Sequence, residues 1–312
     1  MIHSIISVLK NCWINPIWTI CCAIRNKGGI VACWNLVFRK YREGLSIKTI
    51  LRESWKSRIG TGYFEWQERF EKLTPQDMSA IRKQIQGLQS PPLISILMPV
   101  YNPDPHLLRQ ALDSVQNQIY PYWELCIADD ASPNAQIQTI LEDYCRADSR
   151  IHVIFRKENG HICAASNSAL DLCTGTYTAL MDHDDILPEV ALYFVAMEIT
   201  QHPDAMLIYS DEDLLSPQDK RYNPHFKPDW NEPLFLASNY LNHLSIYRTS
   251  LLREIGGFRL GYEGSQDHDL TLRCVLKIRP SQIRHIPRIL YHWRQFPGSG
   301  SFSDRALEQC KK

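Results

Sequence analysis

The sequence lacks the features that define several common protein classes. Its ten cysteines include no Cys-x-x-Cys pair, so none has the ligand spacing of a structural zinc site. A chain of 312 residues does not need a disulfide framework, and reduced thiols in a cytoplasmic protein are the simplest interpretation. The turn after the first predicted strand, "VYNPDP", contains neither G-x-G-x-x-G nor G-K-[ST], which disfavours a Rossmann dinucleotide site and a P-loop.

Net charge is also absent, because 34 Lys+Arg balance 34 Asp+Glu, so nothing favours nucleic acid as a partner. The balance hides an asymmetry along the chain. Residues 1–60 hold ten basic and two acidic residues, a charge of +8, whereas residues 61–312 hold 24 and 32, a charge of −8. A basic end beside an acidic body suggests that this end meets an anionic surface.

Residues 1–60 are predicted to form a basic, apolar extension without a membrane-spanning run. The longest charge-free run in this segment is Asn11–Ile24, which is shorter than the roughly 20 residues that a spanning helix needs. Two interpretations stay open: a segment in the membrane surface with Trp13, Trp18 and Trp34 at the headgroups, or a helical extension packed on the body. The charge favours the first, and thus a cytoplasmic protein peripheral to the inner face of the cell membrane.

Hydrophobic patterning predicts a doubly wound α/β domain. Residues 61–92 are predicted as a helical linker, residues 93–301 as the domain, and residues 302–312 as a short tail. Within the domain, apolar runs of strand length such as "LISILMPVY" alternate with helical patterns such as "DPHLLRQALDSVQNQ". This alternation indicates a mainly parallel sheet with helices on both faces, whose ligands bind beyond the carboxyl ends of the strands.

Acidic clusters follow three of the predicted strands, in "ADDAS", "MDHDD" and "YSDED". One such cluster could cap a helix, but three on the same edge of a sheet indicate a binding site. Mn²⁺ and Mg²⁺ prefer carboxylate and phosphate oxygens as ligands. Asp184, together with Asp182, is therefore predicted to hold such an ion against a diphosphate. A helix cap is the alternative, above all for Asp185.

Two later segments add candidate residues. In "YEGSQDHDLTLRCVL", Asp267 is a candidate general base for an acceptor hydroxyl, and the alternative is a helix start capped at this point, for which Asp269 is well placed. In "ILYHWRQFPGSGS", His292 is a candidate third metal ligand and Arg294 a candidate diphosphate clamp. A histidine satisfied in the core and a surface arginine are the alternatives for these two residues.

Together these motifs resemble the family 2 glycosyltransferases, which have the GT-A fold. The matching tracts run from Leu93 to Ser301 and include "ISILMPVYNPDPHLLRQALDSVQNQ", "WELCIADDAS", "NGHICAASNSAL", "MDHDDIL" and "QDHDLTLR". The tract "YSDEDL…HFKPDWN…SNYLNHLSIYRTSLLREIGGFR" looks like that of a subgroup including bacterial O-antigen and surface-polysaccharide transferases.

The resemblance implies roles for individual residues. It implies donor binding by Pro99, Tyr101 and Asn102 around the nucleotide base, by Asp130 through a hydrogen bond to the base, by Asn167 along the pocket, and by Asp182 near the ribose or donor sugar. It also implies an inverting displacement. Asp267 would deprotonate the acceptor hydroxyl, which attacks the anomeric carbon while the nucleoside diphosphate leaves from the opposite face.

The predicted function is thus transfer from a UDP-, dTDP- or GDP-sugar to a glycan or lipid-linked acceptor in surface-polysaccharide synthesis, with Mn²⁺ or Mg²⁺ as cofactor. A sugar-phosphate nucleotidyltransferase is disfavoured, because "VYNPDPHLL" lacks the Gly-rich, Lys/Arg-bearing loop expected after its first strand. The remaining alternative is a non-catalytic scaffold that binds a nucleotide-sugar at the membrane, and the intact Asp184 and Asp267 count against it. Residues 222–230, "YNPHFKPDW", are predicted as a Pro-interrupted loop on the acceptor side.

Overall fold

A computed structural model describes residues 62–295 of the chain. The predicted N-terminal extension, its membrane contact, the Gly/Ser loop after Gln295 and the C-terminal tail therefore lie outside the described residues. The chain divides between Arg69 and Phe70 into two compact units, and the described part of the first, residues 62–69, is helical. Within residues 62–295, no helix is both long enough and apolar enough to cross a membrane.

The second unit is built on one eight-stranded mixed sheet. The strands are β1 (Ile94–Val100), β2 (Trp123–Asp129), β3 (Ile151–Phe155), β4 (Tyr177–Leu180), β5 (Leu207–Leu215), β6 (Arg221–His225), β7 (Ser245–Arg248) and β8 (Ile283–Arg294). Their order is β3-β2-β1-β4-β7-β5-β6, with β8 also paired to β5. Strands β1 to β4 are parallel to their neighbours in this group, and β8 is parallel to β5, whereas β6 and β7 run antiparallel to the strands beside them. The prediction of a mainly parallel sheet is confirmed.

The helices lie on both faces of this sheet, as predicted. They are α1 (Pro75–Gln86), α2 (Pro105–Gln116), α3 (Ala135–Ala147), α4 (His161–Leu172), α5 (Ala191–Gln201), α6 (Glu232–Ala237), α7 (Thr249–Glu254) and α8 (Gln266–Val275), with a 3₁₀ turn at Pro280–Gln282. One apolar cluster joins the sheet to α1, α2, α3 and α5, and a second joins its other face to α4, α6, α7 and α8. Strands buried on both faces explain why residues 96–100 of β1 and 125–128 of β2 are continuous apolar runs, while the buried Ser95 and Glu124 pair with each other.

Local chemistry sets where helix α2 begins. The Asp104 carboxylate accepts hydrogen bonds from the amides of His106 and Leu107, and Pro105 is the first helical residue, as the sequence predicts. The early start of α2 keeps the connection from β1 short. The turn between them therefore stays at the carboxyl end of the strand, where ligands of such sheets bind.

Strands β6 and β7 are the elements that the sequence does not reveal. The predicted Pro-interrupted loop at residues 222–230 begins as strand β6, since Pro224 is tolerated in a strand that pairs on one side only. Strand β7 is only four residues long and lies between β4 and β5. Because it runs antiparallel to β4, the residues just before β7 arrive at the edge where β4 ends.

Candidate active site

The turn that follows β4, residues 182–185, is fastened to strand β8. The Tyr291 hydroxyl accepts a hydrogen bond from the Asp182 amide at 3.1 Å and donates one to Asp185 Oδ2 at 2.6 Å. The Arg294 amide donates to the other oxygen, Asp185 Oδ1, at 2.7 Å. Burial, and then the neighbouring Asp182, raise the pKa of the Asp185 carboxyl well above its ordinary value. Asp185 is 1% exposed and both of its oxygens are occupied, so it anchors the turn.

Asp182 points to the open side of the same turn. Its side chain is 44% exposed, and its Oδ2 lies 3.7 Å from Nε2 of His243, the second residue before β7. The other ring nitrogen of His243, Nδ1, lies 3.3 Å from Glu212 Oε2 in β5. Burial alone would lower the pKa of His243, but Asp182 and Glu212 outweigh it and raise the pKa to about 10. His243 in turn lowers the pKa of Asp182.

These groups have the chemistry of a divalent-cation site. Ligand atoms of Asp182, Asp185 and His243 lie within 4.8 Å of one another. Carboxylate oxygens and a neutral imidazole suit Mn²⁺ and similar ions, and binding of the ion would displace the proton from His243. The carboxylate of Asp184 belongs to the same turn and makes no hydrogen bond to any other residue of the described chain, whereas burial and Asp182 raise its pKa. Asp182 and His243 therefore fit a cation, and Asp184, which belongs to the same turn, stays a predicted further ligand.

His292 is placed differently from the third ligand that the sequence predicts. Its Nδ1 lies 2.6 Å from Asp213 Oδ1 in the interior, and its backbone pairs with Ile186 just after the turn. Within residues 62–295, the histidine grouped with the turn is His243. The role available to His292 is to hold β8 beside the turn, which is the core-satisfied alternative.

A pocket joins the turn to the predicted general base. Asp182, His243 and Asp267 all line it, together with Pro99 from β1 and Phe258 from the loop before α8. Asp267 is the second residue of α8, so it does not cap that helix. Asn239 Nδ2 donates to Asp267 Oδ2 at 2.9 Å, which fixes the orientation of the carboxylate towards the pocket.

Asp269, two residues further along α8, has a structural role instead of the capping role considered from the sequence. Its carboxylate accepts hydrogen bonds from the guanidinium groups of Arg259 and Arg273, and Arg273 also donates to the carbonyl oxygens of Ile255 and Gly257. Asp269 therefore holds the loop before α8 in place. Because Phe258 belongs to that loop, the contact also shapes the pocket wall.

The carboxyl ends of β1 and β2 lie at the same edge of the sheet as the turn after β4. The Pro99 carbonyl lies 3.1 Å from His183 Nδ1, which links β1 to the turn after β4 and gives a role to a residue that the sequence leaves without one. Beyond β1, Tyr101 is 50% exposed and the Asn102 amide donates to Ser132 Oγ at 2.8 Å. These residues lie at the carboxyl end of β1, and their contact with a nucleotide base stays a prediction.

The remaining predicted donor-binding residues are occupied by protein groups. Asp130 is 1% exposed and accepts hydrogen bonds from Arg156 Nε at 2.7 Å and from the Gly160 amide. The Asn167 amide donates to the carbonyl oxygen of Phe258 and accepts from its N–H, both at 2.8 Å. Asn167 thereby holds the pocket loop from behind.

Arg294 likewise braces the turn from the interior. Its three guanidinium nitrogens donate to the Asp184 carbonyl oxygen, to Asp219 and to Gln110. The residue is 4% exposed, so its guanidinium group is hydrogen-bonded to protein acceptors and does not face the pocket. The roles of Asp130, Asn167 and Arg294 in donor binding stay predictions. In the structure each of the three holds a loop or turn at this edge of the sheet, so each could act on the donor only indirectly.

Sequence reasoning missed His243 and Asn239. Both precede β7 in "SNYLNHL", and a four-residue strand with no alternating pattern gives little signal that this tract reaches the site. The available signal was chemical: an amide and an imidazole among apolar residues, in a tract already matched to the resembled subgroup.

Comparison with known proteins agrees with this arrangement. A family model described as "Glycosyl transferase family 2" matches residues 95–256. An uncharacterised protein of Sinorhizobium fredii, y4gI, is 41% identical over 86% of this chain, and the O-antigen biosynthesis protein RfbC of Myxococcus xanthus is 36% identical over 76% of it. The chain spans only 30% and 18% of the length of these two relatives.

Among solved structures, S. aureus TarS 1-349 in complex with UDP-GlcNAc has a TM-score of 0.57 and 22% identity, over 69% of this chain and 64% of that one. A mannosyltransferase from Pyrobaculum calidifontis in complex with GDP-Man and Mn²⁺ has a TM-score of 0.50 and 16% identity, over 68% and 61%. At these identities the likeness concerns the fold, and it confirms the GT-A architecture expected from the sequence. With a family match that covers more than half of its residues, the chain belongs to glycosyl transferase family 2.

Proposed function

We propose that this chain transfers a sugar, with inversion, from a nucleotide-sugar to a glycan or lipid-linked glycan acceptor in surface-polysaccharide synthesis. The observation that carries the proposal is the single pocket lined by both Asp182 and Asp267. A transferase of this kind needs two groups close to the donor sugar. Carboxylates must bind the cation that contacts the diphosphate, and a base must deprotonate the acceptor hydroxyl. Family membership supplies the reaction class, and the relative named for O-antigen biosynthesis supports the polysaccharide context.

Asp267 is the proposed general base. Its Oδ2 is held by Asn239 at 2.9 Å, and its side chain faces the pocket, so the other carboxylate oxygen is available to take the acceptor proton. The acceptor oxygen would then attack the anomeric carbon as the bond to the diphosphate breaks. Because the base and the leaving group act on opposite faces of the sugar, the configuration at that carbon inverts.

Asp182, Asp184 and His243 are the residues proposed to hold Mn²⁺ or Mg²⁺. When bound, the cation would neutralise charge on the diphosphate leaving group. Asp185, bonded to Tyr291 and the Arg294 amide, keeps the turn in place. On the donor side, Pro99, Tyr101 and Asn102 are proposed to contact the base, and Asp130 to shape the adjoining loop through Arg156. Fold neighbours bound to UDP-GlcNAc and to GDP-Man with Mn²⁺ support a nucleotide-sugar donor, which we take to be a UDP-, dTDP- or GDP-sugar.

A donor panel tests the proposal. Purified full chain is titrated calorimetrically with UDP-, dTDP- and GDP-sugars, with and without Mn²⁺, and donor hydrolysis is followed in parallel. At least one donor is expected to bind more tightly with Mn²⁺ and to be hydrolysed slowly. Asp267→Asn should keep donor binding and lower transfer or hydrolysis by about 10²–10⁴-fold, the usual contribution of a general base.

Two results would count against the proposal. If no donor binds with Mn²⁺ present, the transferase assignment fails. If a donor binds and wild-type protein and Asp267→Asn are equally inert with every acceptor tested, the scaffold alternative is favoured. Glu254→Gln, a change at an exposed residue of α7 that pairs with the exposed Lys277, is the matched control and should behave as the wild type.

The extension at residues 1–60 is proposed to contact an anionic membrane surface at the cytoplasmic face, on the strength of its +8 charge. Co-sedimentation with anionic liposomes tests this point. Removal of residues 1–60 should release the protein from the liposomes, and unchanged sedimentation would favour an extension that packs on the body.

A further inference from the structure

A lysine with a fully buried side chain lies directly behind the pocket wall. Lys227, in the loop between β6 and α6, has 0% side-chain exposure. Its ammonium group donates hydrogen bonds to the carbonyl oxygens of Asn242 and His243, two residues that line the pocket. Its own amide is fixed as well, because it donates to Asp211 Oδ1 at 2.8 Å. A buried cation is thus directed at the backbone of the segment that enters β7.

Glu212 of β5 holds the side chain of the same segment. Its Oε2 lies 3.7 Å from Lys227 Nζ and 3.3 Å from His243 Nδ1, while its Oε1 lies 3.1 Å from His225 Nδ1. Oε2 is buried and makes no hydrogen bond within the described chain, so its close polar neighbours there are Lys227 Nζ and His243 Nδ1. Glu212 therefore bridges the Lys227 ammonium group and the His243 ring.

The segment needs this support for a steric reason. His243 has a φ of 51°, in the left-handed region that non-glycine residues rarely adopt. Hydrogen bonds to the carbonyl oxygens of Asn242 and His243 fix the peptide units on both sides of that residue. Relaxation of the backbone would swing the imidazole away from Asp182.

Stability alone does not account for the pair. Buried ion pairs are often replaceable by apolar side chains without loss of stability, because desolvation offsets the attraction between the charges. Here the Lys227 side chain is fully buried, where a charged amine is costly unless it is paired. Every acceptor of this amine belongs to, or touches, the segment that carries His243.

We propose that Lys227 and Glu212 are positioning residues that hold His243 against Asp182 at the cation-binding turn. Lys227 fixes the backbone of His243, and Glu212 fixes its ring through Nδ1, which leaves Nε2 directed at Asp182. The inference rests on the proposed function for its chemical meaning, since the turn is the proposed seat of Mn²⁺. Neither residue contacts the pocket itself, so both act through His243.

The test compares Lys227→Met with the double variant Lys227→Met/Glu212→Gln in the full chain. The single variant leaves Glu212 without its lysine and is expected to unfold at a lower temperature. The double variant removes both charges and should recover thermal stability. Lys220→Met, at an exposed lysine in the turn between β5 and β6, is the control and should match the wild type in every measurement.

The first readout is the affinity for Mn²⁺ alone, measured from the electron paramagnetic resonance signal of free Mn²⁺. Loss of groups that orient a metal ligand weakens metal affinity by about 10–100-fold, and we expect the dissociation constant to rise by at least about tenfold in both variants. The donor KM should rise with it while kcat changes less. Recovery of Mn²⁺ affinity together with stability in the double variant would mean that the pair is only structural and would overturn the proposal.

The second readout does not depend on metal or substrate. Long-range ¹H–¹⁵N correlations of the His243 ring, recorded on metal-free protein, should form one set in the wild type and in Lys220→Met, and several or broadened sets in Lys227→Met and the double variant. An unchanged ring spectrum in both would overturn the positioning role even if Mn²⁺ binds. If the wild type binds no Mn²⁺, the metal part of the proposed function fails, and the ring spectra alone decide the positioning role.

Discussion

The acidic ends of β2 and β4 look alike in the sequence, but the protein compensates their charges in different ways. After β2, Asp129 accepts hydrogen bonds from the amide and hydroxyl of Ser132, and Asp130 is held by Arg156 and the Gly160 amide. Each carboxylate there has protein partners and is buried. After β4, only Asp185 is closed in this manner.

The other two carboxylates after β4 stay open. Asp182 is 44% exposed with His243 at 3.7 Å, and Asp184 has no hydrogen-bond partner in the part of the chain that the structure describes. An acid fully paired with protein groups shapes a loop, whereas an acid left half-paired at a pocket can take a ligand. The comparison therefore separates a structural cluster from a proposed binding cluster that share the same sequence pattern.

The largest expected difference between the two ends concerns metal dependence. Asp182→Asn should weaken Mn²⁺-dependent donor binding by at least about 100-fold, because it removes a ligand rather than a supporting group. Asp130→Asn should weaken donor binding, if at all, by the same factor with and without Mn²⁺. Calorimetric titration of donor into both variants measures this. Equal Mn²⁺ dependence in the two variants would contradict the assignment of the β4 end as the binding cluster and the β2 end as structural.

Stability should show the opposite ranking. Asp130→Asn leaves the Arg156 guanidinium without its buried anion, and we expect the free energy of unfolding to fall by about 3 kcal/mol. Asp143→Asn breaks the exposed Arg146–Asp143 pair and should change it by no more than about 0.5 kcal/mol. Urea denaturation measures both. If Asp130→Asn lowers the free energy of unfolding no more than Asp143→Asn does, the Asp130–Arg156 pair does not stabilise the β2 end.

The third acidic cluster predicted to follow a strand lies within β5 instead, and the stability that its Glu212 contributes should depend on pH. The folded pKa of Glu212 is about 2, below its ordinary 4.5, so its stabilising contribution is present above pH 4.5 and is lost as pH falls towards 2. The stability difference between wild type and Glu212→Gln should therefore shrink by on the order of 2 kcal/mol from pH 6 to pH 3. Denaturant titrations at the two pH values, with chelator present, measure it. A difference independent of pH would contradict the assignment of an ionised Glu212.

The smallest expected effect is at Ser132. Ser132→Ala removes a hydroxyl that donates to Asp129 and accepts from the Asn102 amide, and should lower the free energy of unfolding by about 1 kcal/mol. Donor affinity should stay within about twofold, since the β2 end is closed by other contacts as well. A larger loss of donor affinity than of stability would place Ser132 at the bound nucleotide instead.

The sequence predicts the parallel half of the fold well because each element there has a strong periodic pattern. Buried strands such as β1 give continuous apolar runs, and the cap at Asp104 with Pro105 marks the start of a helix. The order of these elements also brings the acidic strand ends to one edge. What remains is set by pairing between distant residues, which periodicity does not encode.

The candidate site shows the same division. Asp182, Asp184 and Asp267 are visible from spacing and residue type, whereas His243 reaches them only because β7 runs antiparallel beside β4. The sequence pattern also cannot distinguish a charged side chain that binds a ligand from one that is hydrogen-bonded within the protein. Arg294 illustrates this, since its place at the end of β8 suggests a clamp and its contacts make it a brace.

The reversed direction of β7 has a consequence for the order in which the protein matures. A chain that emerges from the ribosome completes β4 and its acidic turn well before the segment that carries Lys227, His243 and Asp267 has been made. Until β7 inserts between β4 and β5, the acids of the turn lack His243, and Asp267, the proposed base, is not in place. Long-range pairing of this kind forms late in folding, after loop closure. The fold thereby links assembly of the proposed site to completion of the sheet, because a chain without β7 has the acidic turn but not His243.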